Sequence, residues 1–158
     1  MECLYDEAMM QLALAEARLA KDAGEIPVGA VIACDGNVIS SAHNLCETNH
    51  SAIAHAEMLA IDAACKKLGR WRLSDCTLYV TLEPCPMCTG AAINARIGRI
   101  VFATKDARAG ACGSLINLPV YPLEAHPMCE CGLLQKDAAE LLSSFFADRR
   151  KKRTVDQS

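Results

Sequence analysis

Two short stretches carry residue types that can do chemistry together. One is His55-Ala56-Glu57, at the start of a helical stretch. The other is Pro84-Cys85-Pro86-Met87-Cys88, between a strand pattern and a helix pattern. Zinc takes four ligands from Cys, His or carboxylate, and a catalytic zinc keeps one position for water. His55, Cys85 and Cys88 supply three. The two cysteines are three residues apart, so at a helix start both sulfurs can face one point. The free N–H groups and partial positive charge of a helix N-terminus favour thiolates there. Two thiolates and a neutral imidazole balance the charge of the cation. Water would then be the exchangeable ligand, with its pKa lowered toward neutrality. Glu57 lies two residues from His55, and in a regular helix those side chains diverge by more than a right angle. They serve one site only if that turn meets the metal end-on. Glu57 would then take the proton from the water and hand it on.

Each piece alone has an ordinary reading. A histidine on a helix is usually structural. A Cys-x-x-Cys can be a redox pair or half of a structural zinc site. A glutamate in a first helical turn simply suits the dipole. Together and in this order, His-x-Glu followed by Pro-Cys-x-x-Cys is the signature of zinc deaminases that act on nucleobases.

Positioning these residues requires an ordered frame. Asp6 can cap a first helix with Ala8, Leu12, Ala15 and Leu19 along its apolar face and Gly24 at its end. Val28 to Cys34 and Val38 to Ala42 read as strands, joined by an Asp35-Gly36 turn into a hairpin. Asn44 to Ile53 is a polar loop, and Ala54 to Leu68 a helix closed by Gly69. Thr77 to Leu82 is a third strand, and Pro86 starts a helix that runs through Arg96. Arg99 to Thr104 is a fourth strand and Met128 to Cys131 a short fifth. Gln135 to about Arg150 is the last helix, with Ala138, Leu141, Leu142 and Phe145 on its apolar face. Strands joined through helices favour an α/β fold with helices on both faces of a partly parallel sheet. Residues 1–153 read as a single domain, and Thr154 to Ser158 as a loose tail.

Composition narrows the class. The chain has 158 residues, 52% of them hydrophobic, which suffices for one aliphatic core. No apolar run is long enough to span a membrane, and the start lacks signal-peptide features. A soluble, cytoplasmic protein is expected. Ten cysteines without an export signal suggest free thiols in a reducing compartment. The net charge of -3 argues against nonspecific coating of nucleic acid. A local basic run, Arg149 to Arg153, stands apart from that average.

Nearly the whole chain resembles the bacterial tRNA-specific adenosine deaminases, which convert the wobble adenosine of an arginine tRNA anticodon to inosine. The markers are Glu25-Ile26-Pro27-Val28-Gly29-Ala30-Val31, Ala54-His55-Ala56-Glu57 and Leu78-Tyr79-Val80-Thr81-Leu82-Glu83-Pro84-Cys85-Pro86-Met87-Cys88. They continue through Ala95 to Arg99, Asp106-Ala107-Arg108, Gly113-Ser114-Leu115, Phe145-Phe146 and Arg149-Arg150. The resemblance implies a three-layer α/β/α sandwich with a mixed five-stranded sheet, as in cytidine deaminases, acting as a homodimer. It implies one Zn2+ per subunit on His55, Cys85 and Cys88, with Glu57 as the catalytic proton shuttle. It assigns Asn44 to the flipped base, Val28 and Ala30 to the pocket wall, and Ala56 to the backbone beside the reacting water. Asp106 and Arg108 fall in a loop near the bound anticodon stem-loop. Phe145, Phe146, Arg149 and Arg150 fall on a C-terminal helix that holds the RNA.

Periodicity places Phe145 on an apolar face, where core is the competing reading. The basic run is alternatively a solvated helix end that suits the C-terminal dipole. Leu118 to Cys131 matches the family poorly. Its Cys129 and Cys131 read as a strand with alternating exposure in preference to a second metal site. The competing functions are a deaminase of a free nucleobase or nucleoside, a noncatalytic zinc-stabilised subunit, and a redox protein. The aromatic and basic residues of the last helix have no use in the first. Glu57 has none in the other two.

Overall fold

The computed structural model describes residues 2–157. Its elements run α1 (Glu2–Asp22), β1 (Gly29–Cys34), β2 (Asn37–His43), α2 (Cys46–Asn49), α3 (Ala56–Leu68), β3 (Cys76–Leu82), α4 (Pro86–Asn94), β4 (Arg99–Thr104), a 3-10 turn (Leu118–Val120), β5 (Met128–Cys131) and α5 (Gln135–Asp156). The sheet order is β2-β1-β3-β4-β5. β1 pairs antiparallel with both β2 and β3, while β3–β4 and β4–β5 are parallel. The expected mixed five-stranded sheet is therefore present. Asp35 and Gly36 both take positive φ, as a tight hairpin turn requires.

Alternation along the central strands separates two cores. Ala30, Ile32, Leu78, Val80, Ile100 and Phe102 face Ala60, Ile61 and Ala64 of α3 and Ala92 of α4. Val31, Ala33, Tyr79, Val101 and Ala103 face Met10, Ala13 and Leu14 of α1 and Ala138 of α5. The result is the three-layer α/β/α sandwich.

Helix α1 departs from expectation. It starts at Glu2, so Asp6 lies inside it and is not its cap. Leu12 and Leu19 are 43% and 53% exposed, and the buried stripe is Met10, Ala13, Leu14, Ala17 and Ala20. The reason is proximity. At Gly29 an added Cβ would overlap the Ala13 carbonyl oxygen and crowd the Ala17 nitrogen. A helix this close to a sheet must present alanines where it passes Gly29, and Leu12 and Leu19 turn outward. Helix α5 continues past Arg150 to Asp156, so Thr154 is helical and not loose. Ser158, the last residue of the expected tail, lies outside the described residues.

Asp6 has a different task. Its carboxylate accepts two hydrogen bonds from the Arg99 guanidinium, at 2.8 and 2.7 Å, and one from the Tyr79 hydroxyl at 2.6 Å. Arg99 also donates to Glu130 of β5, so one cation ties α1, β4 and the sheet edge together.

Two measurements check this frame. Gly29→Ala should force α1 off the sheet and lower stability by about 1–3 kcal/mol. Gly90→Ala in α4 meets open space and should be neutral or gain about 0.5–1 kcal/mol. Thermal unfolding of both variants reads the contrast. The second measurement concerns pH. Arg99, and after it Tyr79, hold the Asp6 carboxyl below the usual carboxylate range. Its folded pKa is thus lower than the unfolded value of about 3.9. The stabilisation is fully present above that value and is lost as pH falls through the folded pKa. Asp6→Asn should therefore unfold about 2 kcal/mol more easily at pH 7, with the deficit shrinking in acid denaturation below about pH 4.

Candidate active site

His55 and Cys85 occupy equivalent positions. Each is the N-cap of a helix, His55 of α3 and Cys85 of α4, and each has extended backbone. Neither side chain makes a capping hydrogen bond to its own helix. Both turn instead toward a common point, which Cys88 reaches from the first turn of α4. Cys85 Sγ and Cys88 Sγ stand 3.6 and 3.4 Å from His55 Nδ1. All three ligand atoms lie within 4.8 Å of one another. Tetrahedral zinc with Zn–S of about 2.3 Å and Zn–N of about 2.0–2.1 Å places sulfur and nitrogen about 3.6 Å apart. The residues present fit the ion.

The electrostatics agree with that fit. The Cys85 thiol is pulled down to about 4, first by hydrogen bonding from Cys88 and then by His55. Cys88 is pushed up, because one proton remains between the two sulfurs and burial opposes a second thiolate. A divalent cation is what lets both ionise.

The end-on geometry required of Glu57 is also met. Because His55 caps the helix from extended backbone, Glu57 at the second helical position swings to the same side. Glu57 is 4% exposed, and burial pushes its carboxyl up to about 7. A carboxyl poised there takes and gives protons near neutral pH.

The metal cradle and Glu57 open on a cavity of about 190 Å3. This is below the about 300–1,000 Å3 of drug-sized pockets and suits one planar base. Ile26, Val28 and Leu82 form apolar walls, with Ala56 at the helix start and Asp106 and Ala109 at the rim. Asn44 lines it too. Its Nδ2 donates to the Ile26 carbonyl at 3.5 Å, and its Oδ1 accepts from the Cys46 N–H at 3.2 Å. One N–H and one lone pair remain for a ligand.

Some expected residues lie elsewhere. Ala30 does not line the cavity. It sits two residues along the same strand face as Val28, fully buried between β2 and β3 and beneath α3. Arg108 is exposed beyond the rim, with its N–H bonded to Asp106 Oδ1 at 2.9 Å. Phe145 is buried and packs edge-to-face on Phe146, which is 37% exposed. Arg149 lies 5.6 Å above the Phe145 ring and 3.9 Å from Glu47 of α2. Arg150 is exposed. The last helix thus reaches the loop that carries Asn44 but does not enter the cavity. Cys129 and Cys131 lie on β5, as expected, but exposure does not alternate, since Cys129 is half-buried while Met128, Glu130 and Cys131 are exposed; neither cysteine joins a metal-binding cluster among the described residues.

The sequence reading missed two buried carboxylates that shape the loops around the cavity. Glu25 accepts the N–H groups of Glu47 and Thr48, at 3.2 and 2.8 Å, and so organises α2 beside Asn44. Glu83 accepts the N–H groups of Asp106, Cys112 and Ser114, at 3.4, 3.1 and 3.2 Å, and the Ser114 hydroxyl. A side chain at Gly110 would overlap the Glu83 carboxylate, so the glycine is what lets the loop close over it. Each glutamate abuts a proline motif in sequence, but nothing local marks it as buried.

Glu83→Gln would aim an amide NH2 at donor N–H groups. Hydrogen exchange at Asp106, Cys112 and Ser114 should rise about tenfold or more, equivalent to at least one lost hydrogen bond, while zinc content stays unchanged.

Comparison with known proteins agrees with the site. The family model for the cytidine and deoxycytidylate deaminase zinc-binding region matches residues 4–104. A tRNA-specific adenosine deaminase of Bacillus subtilis is 48% identical over 94% of this chain and 92% of its own length. The tRNA-specific adenosine deaminase of Aquifex aeolicus is 42% identical over 91% of this chain and 95% of its own. A structure solved in a study of A-to-I editing by tRNA deaminases at the wobble position superposes with a TM-score of 0.83. It is 40% identical and covers 85% of this chain and 99% of that one. A guanine deaminase from Nitrosomonas europaea has the same fold, with a TM-score of 0.76, at 26% identity over 89% of this chain and 84% of that one. With three ligand atoms in place, a buried glutamate beside them and these relatives along almost its whole length, the chain belongs to the tRNA-specific adenosine deaminases of the zinc-dependent cytidine deaminase superfamily.

Proposed function

We propose that the protein hydrolyses the wobble adenosine of a tRNA anticodon loop, arginine tRNA being the expected substrate, to inosine. The observation that carries the proposal is the convergence of His55, Cys85, Cys88 and buried Glu57 on one base-sized cavity. A catalytic zinc held by His55, Cys85 and Cys88 would supply the Lewis acidity that makes water nucleophilic near neutral pH.

The chain's own residues do the rest. Ile26, Val28 and Leu82 clamp the flipped ring, and Asn44 offers its spare donor and acceptor to the base edge. Glu57 accepts the proton of the water that attacks C6 and delivers it to the ring nitrogen. It then takes the second proton, from the new C6 hydroxyl, and passes it to the amine as the C6–N bond breaks, the C6 carbonyl forms and ammonia leaves. Ala56 stands at the start of α3, where backbone N–H groups have no helical partner.

The RNA contacts lie outside the cavity. Asp106 caps the rim loop and Arg108 projects from it. Phe146 and the exposed basic run from Arg149 extend the surface beyond the Asn44 loop. Phe145 acts as the packing base under Arg149. A free-base deaminase needs none of these, and the relatives named for tRNA match at higher identity than the Nitrosomonas guanine deaminase. Leu115, Ile116, Val120, Tyr121 and Leu123 are all exposed, and a homodimer would give apolar side chains of this segment a place to be buried. Light scattering should give about twice the 17.0 kDa of the chain. A cytoplasmic location fits both the substrate and the free cysteines among the described residues.

The decisive assay compares an arginine anticodon stem-loop with free adenosine, guanine and cytidine. Inosine should form from the stem-loop alone. Ammonia from a free base, with the stem-loop untouched, would move the protein to the small-molecule branch. Glu57→Gln should keep its zinc and lose about 10²–10⁴-fold in turnover. Stem-loop affinity should fall about tenfold or more between 50 and 200 mM salt, and Arg149→Ala/Arg150→Ala should flatten that slope.

A further inference from the structure

At the far end of the two central strands lies a second cluster of metal-binding side chains. β1 and β3 run antiparallel, with Cys34 directly opposite Cys76. Both side chains belong to the core on the α3 side, at 9% and 2% exposure. Asp75 precedes Cys76 and brings its carboxylate to the pair. Cys34 Sγ is 3.3 Å from Oδ2, and Cys76 Sγ is 3.7 Å from Oδ1. The three ligand atoms fall within 4.8 Å of one another, the same limit that the catalytic cradle meets.

We propose that Cys34, Asp75 and Cys76 form a second, structural site for a soft divalent cation, with zinc as the natural occupant. Zn–S of about 2.3 Å and Zn–O of about 2.0–2.2 Å place sulfur and oxygen about 3.6 Å apart in a tetrahedron; each sulfur is 3.3 or 3.7 Å from a different Asp75 oxygen, so a small turn of the carboxylate presents one oxygen to an ion held by both sulfurs. The sulfurs are fixed by paired strands, so little ordering is left for the metal to impose.

Charge closes as well. Binding releases the two thiol protons to solvent. Two thiolates and one carboxylate carry three negative charges, the cation supplies two positive charges, and Arg70 supplies the third. Arg70 already grips Asp75, with both carboxylate oxygens 2.8 Å from Nη2. Its side chain is 38% exposed and can yield the inward lone pairs without being buried itself. Asp75 is 47% exposed, which leaves solvent access for a water as fourth ligand. The bound ion would staple the β1–β2 hairpin to the connection that follows α3. The catalytic cradle is a strand length away, about 20 Å at 3.3 Å per residue, because Leu82 at the opposite end of β3 lines the active cavity.

The test is metal titration of the reduced full-length protein with Zn2+ and, for spectroscopy, Co2+. Two equivalents should bind per chain, each with thiolate-to-cobalt absorption. Cys34→Ser/Cys76→Ser should bind one equivalent, lose the part of the metal-dependent rise in melting temperature that comes with the second and keep deaminase turnover within about twofold. Asp75→Asn, a surface change that spares the core, should weaken the second equivalent at least tenfold and leave the first unchanged. Cys85→Ala should remove the other equivalent, so failure of the catalytic cradle and failure of this site give different results. Saturation of the reduced wild type at one equivalent that vanishes in Cys85→Ala would overturn the proposal. So would two equivalents persisting in the Cys34→Ser/Cys76→Ser protein.

Discussion

The His55 ring meets two sulfurs at 3.4 and 3.6 Å, yet it is 30 and 33 residues from them in sequence. Closing that loop takes a whole helix, a whole strand and the first turn of a second helix. β3 runs between α3 and α4, so its length and direction decide where the two helix starts stand. The antiparallel β1–β3 pairing and the parallel β3–β4 pairing fix that direction. Both helix N-termini then point at one place, and their unpartnered N–H groups lower the cost of gathering thiolates and a carboxylate there. Moving either cap by one residue would turn a ligand away. Much of the sheet can therefore be understood as support for a contact between three atoms.

A second layer of support is electrostatic. Glu25 and Glu83 are buried carboxylates that bind mainly backbone N–H groups of loops, each with one hydroxyl beside them, Thr48 and Ser114. Loops have irregular N–H groups that no strand or helix satisfies, and an ionised acceptor is the strong partner for them. Glu25 shapes the loop on the Asn44 side, and Glu83 the loop on the Asp106 side. The cavity thus has rigid walls on both flanks although neither flank is regular structure. Arg99 does similar work at the other layer, where it joins Asp6 of α1 to Glu130 of the edge strand.

How much of this the sequence shows depends on how local the cause is. The metal ligands, the Asp35-Gly36 hairpin and the five strands have short-range causes: spacing, turn chemistry and alternation. They were legible. The buried face of α1 was not, because its periodicity offers two stripes and the choice is made by Gly29, which lies beyond the helix and admits it closely. The resemblance assigns Ala30 to the pocket wall together with Val28, but a strand step of two residues carries a side chain about 6–7 Å deeper, into the core. The length of α5 exceeded expectation because its basic end has helix-forming residues without an apolar face, so periodicity stops before the helix does. Glu83 was invisible for the opposite reason. Its partners are 23 to 31 residues away, and a glutamate before a proline looks solvated.

The size of the cavity bears on selectivity. A space of about 190 Å3 takes in a purine and little else, so its walls meet the same ring whether the base arrives free or on RNA. Discrimination between those must come from groups outside. The acidic chain has few cations to offer, and it concentrates five of them from Arg149 to Arg153 on one exposed helix end near the Asn44 loop. Binding energy gathered there does not touch the reacting atoms. It can still hold a splayed base in the cavity long enough to react, offsetting the loss of stacking in the anticodon loop. A free base would bring no such contribution, and the small cavity alone would hold it weakly. On the proposed function, selectivity for RNA would follow from a separation of tasks: the sheet end would do chemistry on a fitting purine, and the last helix would hold the RNA that carries it.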